Sequence, residues 1–195
     1  MALCVAGGVL RLTRSSLIRA VAMAAAAAIM LVAPASGAYA GGHHGHRGDL
    51  AAARAATAKF HRLKVATDDG YSILADKDGI TCIDMHGMGA MGVHYVKGDL
   101  VADPSIKARH PEALVYAPDR HGHLHLAALE YVVIKADWDA THANPPELFG
   151  QEFNFTDAGN RYGLPAFYSL HVWLWKHNPA GTFEMWNPRV HCHCT

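Results

Sequence analysis

Residues 124–135 read LHLAALEYVVIK, and the fold turns on this stretch. Leu124, Leu126, Ala128, Glu130, Val132 and Ile134 recur at every second position, the period of a strand with one face toward a core. Tyr131, Val132, Val133 and Ile134 suit an extended backbone because branched and aromatic side chains pack well on a pleated surface. Glu130 is the one polar residue on the expected inner face. A carboxylate set among apolar neighbours must find a partner or keep its proton. Residues 113–117 (ALVYA) form a second apolar run, and Pro118, Asp119, Arg120, His121 and Gly122 between the two have the chemistry of a hairpin loop.

Further strands are expected at 71–74, 80–84 and 91–97, separated by turns rich in Gly and Asp. Ahead of them, Ala53, Ala56, Phe60 and Leu63 fall on one helical stripe, so a helix is expected from the capping residue Asp49 to about Thr67. Residues 137–163 are polar, broken by Pro145 and Pro146, and expected to be irregular. Residues 166–177 (AFYSLHVWLWKH) follow Leu164 and Pro165, a favourable helix opening, and precede Asn178, Pro179, Ala180 and Gly181. We read a second helix there, with a strand as the alternative because Val172, Trp173 and Trp175 suit one. The sum is a single α+β domain over residues 49–192, a mostly antiparallel sheet with an N-terminal helix and a second covering helix.

The 195 residues carry 17 Lys+Arg against 17 Asp+Glu, with 51% hydrophobic side chains. That balance excludes a disordered chain and gives no basic surplus for nucleic acid. Arg11, Arg14 and Arg19 precede an apolar run at residues 20–33, and Ala38-Tyr39-Ala40 ends it in the pattern of a signal-peptidase site. The reading is a secretory signal over residues 1–40 rather than a stable membrane anchor, hence a secreted, periplasmic or cell-surface protein. Residues 41–48 (GGHHGHRG) read as a flexible terminus and residues 193–195 as a frayed tail. All 15 His lie beyond Ala40 and call for an explanation.

Cys82, Cys192 and Cys194 also lie beyond it, and in an oxidising compartment Cys82 is expected to pair with Cys192 or Cys194, the former by preference because the last residues fray. Three clusters suggest a transition metal, copper first. If cleavage follows Ala40, Gly41, Gly42 and His43 offer an amine, two amides and an imidazole in a plane, which suits Cu(II). Met85, His86, Met88 and Met91 place thioethers and an imidazole in a Gly-rich loop that suits Cu(I), and residues 191–194 (HCHC) alternate nitrogen and sulfur. No organic cofactor is implied. His121, His123 and His125 read as a solvated strand edge. His123, His125 and Glu130 are similar to the H-x-H-x4-E spacing of cupin metal sites, but the flanking glycines and second motif are missing. An odd separation from His125 also turns Glu130 to the other face of a regular strand.

Glu130 has natural partners in His94 and His171, each central in its own apolar segment. A carboxylate with two imidazoles can bind a metal or carry out acid–base chemistry. Residues 89–95 (GAMGVHY), 129–133 (LEYVV), 148–151 (LFGQ) and 171–179 (HVWLWKHNP) resemble an uncharacterised family of secreted bacterial proteins. The resemblance implies export and a single domain, and brings no catalytic residue or substrate. Three readings follow: a metal-binding protein; a small-molecule binder with a pocket made by Phe167, Tyr168, Trp173, Trp175 and Trp186; and a hydrolase or lyase using His94, Glu130 and His171. No nucleophile elbow or zinc-protease helix supports the last.

Overall fold

A computed structural model describes residues 42–192. The proposed signal segment, Gly41 and the tail beyond Cys192 lie outside the described residues. The α+β class holds. Helix α1 (Gly42–Thr57) is followed by a 3-10 turn (Ala58–His61) and α2 (Leu63–Asp68). Then come β1 (Ser72–Ile73), β2 (Cys82–Met85), β3 (Gly89–Val96), α3 (Gly98–Val101), β4 (Ala113–Pro118) and β5 (Leu124–Ile134). After α4 (Lys135–Asp139) and the small ribbon β6 (Glu147–Leu148) and β7 (Gln151–Glu152), the chain returns through β8 (Asn154–Thr156) and β9 (Phe167–Val172). The seven-stranded sheet runs β1-β3-β4-β5-β9-β8, with β2 also paired to β3 and every pairing antiparallel.

The expected second helix at 166–177 is instead β9. Its six residues are all buried and pair with β5 on one side and β8 on the other. A strand covered on both faces reads as an unbroken apolar run, which sequence period alone cannot separate from a buried helix. The N-terminal helix starts at Gly42, seven residues ahead of the expected cap, so the Gly/His tract is helical from that point. A Cβ placed on Gly150 would lie 3.2 Å from His46 Nε2, which shows the His46 ring packed against that turn. The helix also breaks before Thr67: Arg62 is extended, and the Phe60 carbonyl accepts a 2.7 Å hydrogen bond from the Tyr116 hydroxyl of β4.

One face of the sheet carries the main core, where Val93, Tyr95, Leu114, Tyr116, Leu129, Tyr131 and Leu170 pack with Phe60 and Ala53 of the helical segment. The other face holds a smaller cluster that includes Val115, Ala128 and Trp173. Strand β5 does not present one continuous face. Val115 pairs with Ala128 and Tyr116 with Leu126, so Ala127 is an extra residue, a β-bulge. Leu126 therefore joins the main core, while Ala128 and Glu130 face the other way. The bulge is secured from outside the sheet, because the Ala127 carbonyl accepts both the Trp175 and the Lys176 N–H at 3.0 Å.

A second irregularity lies in β3, where Ile83 opposes Gly92 and Asp84 opposes Ala90, leaving Met91 unpaired. Gly92 has φ +103° there, and a Cβ would meet the Tyr116 carbonyl oxygen at 2.6 Å, so only glycine fits. The C-terminal segment is tied to this hairpin twice. Ala90 and Asn187 exchange backbone hydrogen bonds, and Cys82 is bonded to Cys192, as expected, closing a loop of 110 residues.

Candidate metal centre

Three neighbouring strands and one intervening strand bring the site together. Glu130 of β5 stands directly opposite His171 of β9. On its other side Glu130 opposes Ala113 of β4, and His94 of β3 opposes Val115 of β4. Strands two apart are separated by roughly 9–10 Å, so His94 and Glu130 meet only by reaching across β4. The small side chain of Ala113 leaves them room.

His94 Nε2 lies 3.4 Å from Glu130 Oε2 and 3.2 Å from His171 Nε2, and His171 Nδ1 lies 3.5 Å from Glu130 Oε1. The side chains of His94, His171 and Glu130 are 3%, 1% and 13% exposed. Burial holds both imidazoles down to about 4, with the neighbouring His171 adding to the effect at His94 and Glu130 opposing it. Both rings are therefore neutral near pH 7, and the two His–Glu contacts are not ion pairs. Burial pushes the Glu130 carboxyl above its ordinary range, against the opposing influence of His94 and the Ser169 hydroxyl. His171 Nδ1 is buried without a hydrogen-bond partner among the described residues. The His94 and His171 Nε2 atoms share one hydrogen bond and the Ser169 hydroxyl donates to Glu130, so the unpaired Nδ1 is the exception in the cluster.

One ligand atom from each of the three residues falls within 4.8 Å of the others, the only such group of His, Cys, Asp or Glu among the described residues. The cluster can hold a metal ion. Comparison with known proteins finds no matching family model, curated protein or solved structure.

The other expected ligands fall elsewhere or outside the described residues. Gly41 is outside the described residues, and of Gly42 and His43 only the backbone is described, as the first turn of α1. Met85 and Met88 are 44% and 49% exposed on the β2–β3 hairpin, whereas Met91 is buried. Met85 and Met91 line the cavity beside Glu130 and His171, but His86 lies in a different pocket next to His191 and Cys192. His123 and His125 are exposed and share the Asp119 carboxylate, at 3.3 and 3.2 Å, as a solvated edge. Of the expected aromatic pocket, Phe167 and Trp186 do line the cavity, while Trp173 packs in the smaller core and Trp175 meets His61 edge-to-face with Arg54 over its ring.

Tyr162 and Ser169 were not singled out by sequence reasoning, yet both line the cavity with Glu130. Burial raises the Tyr162 phenol, and the Glu130 charge adds to it. The loop that carries Tyr162 is well anchored. Asn160 Oδ1 accepts the Tyr162 and Leu164 N–H groups, and Arg161 donates twice to the buried Asp76 carboxylate, at 2.7 and 3.0 Å. Ser169 was hidden by the helical reading of 166–177, and Tyr162 by its place in a segment with no period.

Proposed function

We propose that this protein binds one divalent transition-metal ion, zinc by preference, through His94, Glu130 and His171. A tetrahedral zinc site with bonds near 2.1 Å has ligand atoms about 3.4 Å apart. The observed separations of 3.2 and 3.4 Å about His94 Nε2 match that spacing, and this observation carries the reading. Neutral imidazoles need lose no proton to bind, which favours uptake at neutral pH. Two imidazoles and a carboxylate are a known zinc donor set, and three protein ligands leave a fourth position for water or a ligand. Copper draws no support from these donors, since the exposed Met85 and Met88 and the separate His86 do not complete a soft site.

The fourth position also admits a hydrolase or lyase reading. Tyr162, which lines the same cavity as Glu130, is the group that favours it. The Cys82–Cys192 disulfide fits an oxidising compartment, and no helix among the described residues is long and apolar enough to cross a membrane. Both features support the secreted or periplasmic location read from residues 1–40.

Zinc titration of the chelator-treated full-length protein tests the proposal. One equivalent should bind with a dissociation constant below micromolar, and Glu130→Gln should lose that binding while keeping the far-ultraviolet spectrum. Affinity no better than millimolar in the unaltered protein would refute it.

A further inference from the structure

Beside the metal centre lies a second, larger cavity of about 530 Å³, bounded by Leu74, Val96, Val101, Val132, Ile134 and Leu164. Its volume lies within the range of about 300–1,000 Å³ typical of small-molecule sites. Glu130, Tyr162 and Phe167 belong to the walls of both this cavity and the one of about 330 Å³ that holds His171. The two spaces therefore meet at the proposed metal ligand. Val132 and Ile134 follow Glu130 at every second residue past the Ala127 bulge, so the strand that delivers the ligand also lines the apolar wall.

We infer that the larger cavity binds a small amphiphilic carboxylate, its hydrocarbon tail against Val101, Val132 and Leu164 and its carboxylate at the metal's open position. The inference rests on the metal reading above. A divalent ion with one carboxylate ligand and two neutral imidazoles keeps a net positive charge, which selects an anionic head group. Tyr162 is the one residue on the wall of the larger cavity with a neutral side-chain donor, and its hydroxyl is assigned to the second carboxylate oxygen. The remaining wall is almost wholly aliphatic and offers a polar head nowhere else to go, apart from Asp137, whose charge repels it.

The test uses full-length protein loaded with one equivalent of zinc and titrated calorimetrically with acetate, butyrate, hexanoate and octanoate. Each added methylene should tighten binding about fourfold as it leaves water, until the cavity is full. Val101→Trp and Leu164→Trp, neither of them a proposed ligand, should flatten that series and leave zinc stoichiometry unchanged. Either variant serves if the other fails to fold. Tyr162→Phe should weaken every member of the series by a similar factor.

Zinc uptake with equal affinity for acetate and octanoate overturns this inference and leaves the metal reading standing. Tighter binding of octylammonium than of octanoate overturns the anionic head group. Chain-length dependence in protein that takes up no zinc overturns both the metal reading and the coordinated carboxylate.

Discussion

Two groupings of histidine with an acid, both among the described residues, differ in almost everything but composition. His123, His125 and Asp119 sit on the β4–β5 hairpin, with side chains 75%, 67% and 33% exposed. His94, His171 and Glu130 sit on three strands, nearly or fully buried. At the hairpin, Asp119 already accepts the His121 and His123 backbone N–H groups at 2.8 and 3.0 Å, so its charge serves the turn. Those bonds, with the one from His125, hold the Asp119 carboxyl well below its usual range, although its partial burial works the other way. In the buried group His171 Nδ1 is left without a partner among the described residues. The lesson is that density of histidine marks a solvated edge as readily as a site, and that unrelieved polar atoms under cover are the better sign.

The sharpest way to break the comparison is to remove one imidazole from each group. His171→Ala should weaken zinc binding on the order of a hundredfold or more, because a first ligand is lost. His125→Ala should change it less than twofold. A larger loss in His125→Ala by competition titration would place the ion at the hairpin, and equal losses would divide it between the two.

A smaller effect separates burial from convergence. Glu112 is 1% exposed and accepts the Val132 N–H at 3.0 Å, yet no histidine joins it. Burial pushes its carboxyl up to about 8, from an ordinary value of 4.5, against the Val132 bond. The folded protein then keeps a proton that the unfolded chain gives up between those values, so this group's contribution to stability falls as pH rises from 4.5 to 8. Glu112→Gln should match the unaltered protein near pH 5 and melt higher at pH 8.5, by about 2–4 °C for each kcal/mol regained. Zinc affinity should not move. Melting curves at the two pH values, each with a zinc titration, check both statements.

The smallest expected change is at the hairpin. Asp119→Asn should leave the denaturant midpoint nearly unchanged, since its contacts with exposed histidines are weak. A larger loss in denaturant titrations would show that the hairpin acid carries structural weight.

Much of this arrangement was legible in the residues. Alternation in 124–135, with Glu130 among apolar neighbours, pointed to a buried carboxylate and to His94 and His171 as its partners. The hairpin partner of that strand and the Cys82–Cys192 bond were legible from turn chemistry and the fraying of the last residues. What period-two counting missed was the extra residue at Ala127, because a bulge depends on hydrogen bonds from Trp175 and Lys176, some fifty positions away. The inner face inferred for Leu124 through Ile134 is therefore split, with Leu126 on one side and Glu130 on the other. The same bulge undoes the parity argument that set His125 opposite Glu130. Exposure and distance, not strand parity, keep His125 out of the site. β9 stood only as the alternative to a helix because Phe167 to Val172 is covered on both faces and shows no alternation.

The Cys82–Cys192 bond has a consequence for damage to the chain. It turns residues 82–192 into a covalent ring, and His94, Glu130 and His171 all lie inside it. A protease that cuts once in an exposed loop of that ring, such as the turn around Gly159, opens the ring without releasing a fragment. The nicked molecule should still migrate as one species until a reductant is added, then separate into two pieces, and each ligand-bearing strand should stay at the site until that moment.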